Sequence, residues 1–402
     1  KTWTFKLRPG LKWSDGQPLN ADDVNYTWKL WTGKSKFTAA STTGFSLIQS
    51  ADVSSDKLSI TFHLSDKFEP FAAAWADGCS APMPAHIFSS MPDDQILKSS
   101  QSLKPTVSSG PFTITESVRG DHYTVVKNPN YYQASQGYPY LDKVIFRIVS
   151  NQDTILSDFQ SGSITSAWFL DVTKTPAYKA LTNYHIASNT HASNFEAIYF
   201  NENNPLLKDV TLRKAMAMAV DQQTLIKTAR DGQAVPLCTD HGAAYHPGYE
   251  PNAPCPKFDI AGANSLLDSA GYTKGSNGIR VKDGKPLVFQ YVTTANNPWR
   301  KADSLILQSD FKQIGVQLNI QYYPASTFFG TIMPQGKPGV YDIGEFENSW
   351  GYDADDSSLF SCAAIPSAAN SFSGGNWTWY CTPKLDALLT QEQSTTDVNQ
   401  RQ

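Results

Sequence analysis

Residues 4–16, Thr4-Phe5-Lys6-Leu7-Arg8-Pro9-Gly10-Leu11-Lys12-Trp13-Ser14-Asp15-Gly16, together with Ala21-Asp22-Asp23-Val24, decide the fold of this chain. Trp3, Phe5 and Leu7 alternate with polar residues, which predicts a strand over Thr2–Leu7. Arg8-Pro9-Gly10 turns that strand back. Trp13-Ser14-Asp15-Gly16-Gln17-Pro18 supplies a second turn, in which Gly16 can take a positive φ. Asn20 then offers a helix N-cap. Asp23, three residues on, completes a capping-box-like pattern ahead of Val24, Trp28 and Leu30. Leu58, Ile60, Phe62 and Leu64 alternate in turn, the pattern of a half-buried strand. The opening of the chain is therefore expected to be mixed α/β.

The character shifts after the Pro- and Ser-rich stretch around 99–110. Strands are expected at Tyr123–Lys127, Lys143–Val149 and Glu196–Asn201. Leu212, Ala215, Met216, Ala219 and Val220 recur at three- and four-residue spacing and predict one amphipathic helix. Asp259–Ala270 reads as a helix stopped by Gly271, and Pro298–Ile314 as a helix with Asn297 as N-cap, Pro298 at N1 and Gly315 as its stop. Val316, Leu318 and Ile320 resume a strand. Helix–glycine–strand succession of this kind indicates α/β domains.

With 402 residues, 40% of them apolar, the chain has material for two or three buried cores. Its net charge of -4 and sequence pI near 6.0 leave no basic stripe to track phosphates, which argues against nucleic acid. No apolar run reaches the ~18 residues of a membrane span. The chain starts at Lys1 inside a strand and stops at Gln402 just after a helical stretch, so it is expected to be a segment of a longer protein, truncated at both ends.

Five cysteines stand at 79, 238, 255, 362 and 381 with no CxxC pair, which removes zinc-ribbon and thioredoxin chemistry. Cys238 with Cys255, and Cys362 with Cys381, each bracket a short Pro-, Gly- or Ser-rich stretch suited to a disulfide, and an oxidising compartment follows if they pair. The alternative is five buried free thiols in a cytosolic protein. Cys79 has no assigned role.

Catalytic motifs are missing: there is no GxSxG elbow, HExxH, Walker loop or GxGxxG. Of the seven histidines only His241 and His246 are close in sequence, in a Pro/Gly loop rather than on a helix face, which reads as loop and not as a metal pair. Asp353, Asp355 and Asp356 form the densest carboxylate cluster. A glycosidase-like acid pair would need two carboxylates ~5–9 Å apart there; the plainer reading is an acidic loop, with Asp356 a loop residue of little consequence. Aromatic residues are the larger resource, with ten Trp, eighteen Tyr and twenty-one Phe. Trp168, Trp299, Tyr322, Tyr323, Trp350, Tyr352, Trp377 and Trp379 lie in polar, loop-like surroundings and suit either a ligand pocket or the packing of loops onto domains.

The opening stretch closely resembles the TFxLRxGxxWxDGxxxxAxDV signature of family 5 extracellular solute-binding proteins, the oligopeptide- and dipeptide-binding components of ABC importers. Further matches follow in the family's order: Pro82 to Phe88, Ser109-Gly110-Pro111-Phe112, Asn128-Pro129-Asn130-Tyr131-Tyr132, and Gln160-Ser161-Gly162-Ser163-Ile164. Phe200-Asn201, Asp209-Val210-Thr211-Leu212-Arg213-Lys214-Ala215 with Ala219-Val220-Asp221, and Leu266-Leu267-Asp268-Ser269-Ala270-Gly271-Tyr272 complete the set.

The resemblance implies a two-lobed, periplasmic-binding-protein-like α/β fold of type II with the extra subdomain of the peptide-binding class, closing around its solute. Residues 1–104 resemble the extra subdomain of lobe one, 105–191 part of its ligand-facing core, and 192–402 lobe two without its C-terminal return segment. Trp350-Gly351-Tyr352-Asp353 resembles the element whose Asp takes a peptide's α-amino group, so Asp353 inherits that role. Asn376 to Tyr380 resembles the stretch lining the same pocket. Trp350, Tyr352, Asn376, Trp377, Trp379, Tyr322 and Tyr199 are thus the expected ligand-binding residues beside Asp353. Glu347 departs from the Arg that oligopeptide binders tend to carry there. The implied protein is a non-enzymatic monomer with no cofactor and no metal. It would be extracytoplasmic, lipid-anchored through a segment not present here, and would hand an amine-bearing solute to a membrane permease. An oligosaccharide-binding member of the family, and a secreted hydrolase using Asp353, Asp355 and Asp356, are the alternatives.

Overall fold

A computed structural model describes residues 1–32, 37, 44–76, 80–168, 170–187, 194–241, 249–250, 252–349, 355–370, 372 and 374–401. The chain divides into two compact units, Lys1–Ala167 and Trp168–Gln402. Among the described residues no helix is long and apolar enough to cross a membrane.

In the first unit, strands β1 (Thr2–Lys6), β2 (Ile48–Val53) and β3 (Ser59–Leu64) form an antiparallel sheet in the order β1-β3-β2. The alternation of Ile60, Phe62 and Leu64 buries one face of β3 completely. Against it pack Val24 of the helix Ala21–Thr32, and Phe45 and Phe71. Trp75 stacks on Phe62 with centroids 5.4 Å apart. The capping box forms in both directions: Asn20 Oδ1 accepts from the Asp22 N–H, and Asp23 Oδ2 accepts from the Asn20 N–H. Asp23 does more than cap. Its Oδ1 also accepts from the Ala85 N–H at 2.9 Å, tying the helix start to the segment after Pro84. A second antiparallel sheet, β4 (Phe112–Val118), β5 (His122–Lys127) and β6 (Lys143–Arg147), follows in the order β4-β5-β6, and the helix Gln152–Ser161 after it.

The second unit is built on four strands. They are β7 (Asn194–Phe200), β11 (Val288–Thr294), β12 (Gln317–Tyr323) and β13 (Ile343–Ser349), in the order β12-β11-β13-β7. β11 runs parallel to β12 and β13, while β7 is antiparallel to β13. A small sheet joins β8 (Thr273–Lys274), β9 (Arg280–Lys282) and β10 (Lys285–Pro286). Leu212, Met216, Leu267, Phe289, Leu307, Phe311 and Leu318 fill the core between the helices and the sheet.

The helices here follow the expected pattern with two corrections. Asn297 accepts from the Arg300 N–H ahead of Pro298–Gln313 as expected, while Asp259, read as the first residue of its helix, is the N-cap that accepts from the Gly262 N–H ahead of Ile260–Ser269. The helix expected through Val220 instead stops at Met218, and a second one spans Gln222–Ala229. The cause is Asp221, whose carboxylate accepts from the Thr224 N–H and hydroxyl and so starts a new helix. Both expected disulfides are present, Cys238–Cys255 and Cys362–Cys381. Cys79 lies outside the described residues.

Arg280 is the largest fully buried side chain among the described residues. Its guanidinium donates to the carbonyl oxygens of Ile314, Tyr272 and Asn264, to Asn264 Oδ1 at 2.8 Å and to Asp268 Oδ1 at 2.6 Å. It therefore closes the C-terminal ends of two helices, where orphan carbonyls attract a cation. Gly315 (φ +78) passes against it, and a Cβ there would crowd the Arg280 methylenes. Replacing Arg280 with Met keeps the volume but strands those carbonyls. Stability in urea, followed by circular dichroism, should fall by about 3 kcal/mol or more.

Candidate functional site

The four-stranded sheet of the second unit carries a group of charges that the core would not tolerate singly. Arg300 forms a two-pronged pair with Glu196, Nε to Oε1 at 2.8 Å and Nη2 to Oε2 at 3.2 Å, and its Nη1 donates to Thr294 Oγ1. Arg230 Nη2 meets Asp303 Oδ2 at 2.8 Å, and the Arg230 guanidinium lies 5.5 Å from the Trp299 ring centre. Glu345, on β13, is 2% exposed. It accepts a 2.5 Å hydrogen bond from Tyr291 OH. Burial, reinforced by the charges of Glu196 and Asp303, holds its pKa well above the ordinary carboxyl value.

A cavity of about 1050 Å³ runs along β7. Tyr199, Glu196, Arg230, Asp240, Asp303 and Glu345 line it, with Leu307, Phe311 and Phe360 among its apolar wall residues. That volume stands at the top of the ~300–1,000 Å³ range of small-ligand pockets.

The sequence-derived ligand residues fall into three groups. Trp350, Tyr352 and Asp353 lie outside the described residues. Tyr199, Trp377 and Trp379 share one cluster with Phe195, Phe328, Tyr341 and Phe346. Tyr199 stacks on Phe346 at 4.1 Å, and its OH accepts from Asn348 Nδ2 at 2.7 Å. Trp377 donates through Nε1 to the Gly374 carbonyl. Trp379 takes a left-handed backbone (φ 56) and lies over Gly336, where any Cβ would overlap the indole. Asn376 is fully buried, and its amide donates to the carbonyls of Phe360, Ser361 and Tyr380, so it knits the loop together. Tyr322 stands apart on β12, its OH bonded to Ser304 Oγ at 2.8 Å. Of the described members of the set only Tyr199 lines the cavity, joined there by Thr378 and Tyr380 from the predicted stretch. Glu347 accepts from Asn194 Nδ2 at 2.5 Å.

The acidic loop also differs from expectation. Asp355 Oδ1 accepts from the Ser357 N–H and its Oδ2 from Gln393 Nε2. Asp356 is not a spare loop residue: it is hydrogen-bonded to His241 Nε2 at 2.9 Å. Burial pushes its carboxyl up to about 6, the His241 bond opposing that rise and the Asp240 charge adding to it. Sequence reading missed this pair, and the Arg300–Glu196 and Tyr291–Glu345 contacts, because their members lie 115, 104 and 54 residues apart.

Residues 1–368 match the family model described as bacterial extracellular solute-binding proteins, family 5 Middle, and the chain belongs to that family. It is 27% identical over 412 residues to the oligopeptide-binding protein AppA of Bacillus subtilis, covering 99% of this chain and 71% of that protein. It is 24% identical over 384 residues to the nickel-binding periplasmic protein of Escherichia coli, covering 92% and 68% respectively. Among solved structures, Bacillus subtilis AppA in complex with a nonapeptide superposes with a TM-score of 0.83 at 23% identity, over 100% of this chain and 77% of that one. That likeness shows the fold expected from the sequence. The relatives' names describe binding, not catalysis.

Glu345 gives a test of the charge arrangement. Its folded pKa lies above the unfolded 4.5, so the folded chain keeps a proton that the unfolded chain releases. The stability this contributes is complete below about pH 4.5 and is lost as pH rises toward the raised value. Glu345→Gln keeps the hydrogen-bond pattern without the proton. Its stability relative to wild type, from urea titrations between pH 4.5 and 8.5, should climb by up to about 1.4 kcal/mol per pH unit.

Proposed function

We propose that this chain is the solute-capturing part of an extracytoplasmic receptor that delivers an amine-bearing small solute, most simply a peptide, to the permease of an ABC importer. The observation that carries this reading is family membership over residues 1–368, which takes in the first unit and most of the second. The two disulfides support an oxidising, extracytoplasmic location. The finer divisions at 104 and 191, the monomeric state and the lipid anchor belong to the same proposal and rest on the family resemblance. A carboxylate-based hydrolase is the weaker reading, since Asp355 is held by the Ser357 N–H and Gln393 and Asp356 by His241.

Asp353 is proposed as the amine anchor, with Trp350 and Tyr352 beside it and Tyr199, Tyr322, Trp377 and Trp379 as aromatic contributors. The support is the match of Trp350-Gly351-Tyr352-Asp353 to the family's element. An acidic Glu347 where oligopeptide binders tend to be basic favours cationic ends on the solute. Asn376 contributes by shaping the loop that carries Trp377 and Trp379.

The ligand is to be identified by mass spectrometry of whatever co-purifies, and its affinity measured by calorimetry. Asp353→Asn preserves size but leaves the solute's ammonium buried and unpaired, which typically costs ~3–5 kcal/mol, about two to four decades in affinity. Asp283→Asn, in an exposed turn, should bind like wild type. Unchanged affinity for Asp353→Asn, or a neutral ligand, removes the amine anchor and makes an oligosaccharide stacked on the tryptophans the leading reading.

Closure should register in solution. Ligand favours the closed form by its differential affinity for the two states, so small-angle scattering should give a smaller radius of gyration when the ligand is added. No change with a ligand shown to bind would mean that the units do not close on it.

A further inference from the structure

In the second unit, three side chains from two distant segments converge at Asp240, His241 and Asp356. One ligating atom from each lies within 4.8 Å of the other two. His241 Nε2 is 2.9 Å from Asp356 Oδ1 and 4.0 Å from Asp240 Oδ1, and the histidine is 8% exposed. We propose that Asp240, His241 and Asp356 form a binding site for a first-row divalent transition-metal ion.

The geometry of the histidine carries the argument. Both carboxylates address the same ring nitrogen, so one ion placed between them would meet a nitrogen and two oxygens at once. His122, in the first unit, also touches two carboxylates, but Asp121 lies at Nδ1 (2.7 Å) and Glu116 at Nε2 (3.3 Å). No single ion could bridge that arrangement. His63 meets Asp52 and His86 meets Asp15, each a single carboxylate at 2.8 Å.

Asp356 opens the short helix Ser357–Phe360 with helical backbone angles, and Asp355 takes the Ser357 N–H, so the Asp356 side chain makes no cap bond. It turns to His241 instead. Asp240 and His241 follow directly on Cys238-Thr239, and the Cys238–Cys255 disulfide fixes where that segment leaves the cavity wall. Asp240 itself lines the cavity, which gives an ion a route in and leaves the site within reach of a solute.

The required movement is small. Tetrahedral ligands at ~2.1 Å from a metal stand ~3.4 Å apart, so Asp356 would withdraw from His241 and Asp240 approach it by about half an ångström each, and the two carboxylates, within 4.8 Å of each other, would close by up to about 1.4 Å. One imidazole and two carboxylates suit zinc, nickel or cobalt, whereas calcium and magnesium prefer all-oxygen sets. Three protein donors leave coordination positions for water or for donor groups of a bound solute.

The test needs no solute and does not depend on the importer reading. Tag-free protein is stripped with EDTA and titrated with Zn²⁺, Ni²⁺ and Co²⁺ separately, with bound metal counted by mass spectrometry and affinity taken from calorimetry. The expected result is one equivalent per chain. His241→Asn and Asp356→Asn should each weaken binding by roughly 100-fold or more, since loss of a direct ligand exceeds the 10–100-fold typical of its supporting partners. His122→Asn should leave binding unchanged. X-ray absorption on the metal-loaded wild type requires no variant to fold and should show one imidazole among oxygen donors. No bound metal, binding that survives His241→Asn, or a spectrum with two or more imidazoles would each overturn the proposal.

Discussion

A carboxyl group placed in the middle of a sheet imposes the plan of everything around it. Glu345 lies on β13 with almost no exposure, and moving an isolated carboxylate there from water would cost more than a typical domain's whole stability. The structure meets that constraint with partners drawn from several elements. Tyr291 comes from β11, Asp303 from the helix Pro298–Gln313, and Arg230 from just past the helix Gln222–Ala229 to pair Asp303. Arg300, one turn before Asp303, then reaches Glu196 on β7. Each of these groups is acceptable only because the next one is in place. The strand order β12-β11-β13-β7, which sets β13 beside both β11 and β7, is what allows the sequence of pairs to close.

This explains why so much of the fold was readable and so little of that arrangement. Strand β3 is visible in the alternation of Ile60, Phe62 and Leu64 because burial there is a two-residue rhythm. Helix starts are visible at Asn20 and Asn297 because a cap is a local bond. The one helix that came out wrong, 210–220, failed for a local reason as well: apolar spacing ran on through Ala219 and Val220 while Asp221 was already capping the next helix. Pairs such as Arg300 with Glu196, or His241 with Asp356, leave no trace in a window of twenty residues. Their members are ordinary charged residues until the sheet brings them together.

The candidate site was legible in part, through family resemblance more than through chemistry. Of the aromatic residues flagged in polar sequence, Tyr323, Trp377 and Trp379 pack in one cluster around Phe346, while Tyr322 stands apart on Ser304. Composition could not say which of them would face an open cavity and which would be consumed in holding a loop. Asn376 shows the difference: a buried amide that donates to three backbone carbonyls is architecture. The two disulfides were legible for the opposite reason, since each closes a short loop and involves nothing distant in sequence.

The pairing of Trp379 with Gly336 has a consequence for how this surface can vary over time. The indole occupies the space that a side chain at 336 would need, and both residues hold left-handed backbone, which most L-residues avoid. A substitution at Gly336 alone would push the ring out of the cluster. Loss of the ring alone would leave a gap beside Tyr341. The two positions are therefore expected to drift only as a unit, so that in related chains a larger residue at the first should coincide with a smaller one at the second. A cluster packed in this way can be reshaped only by a double step, which makes its present form slow to change.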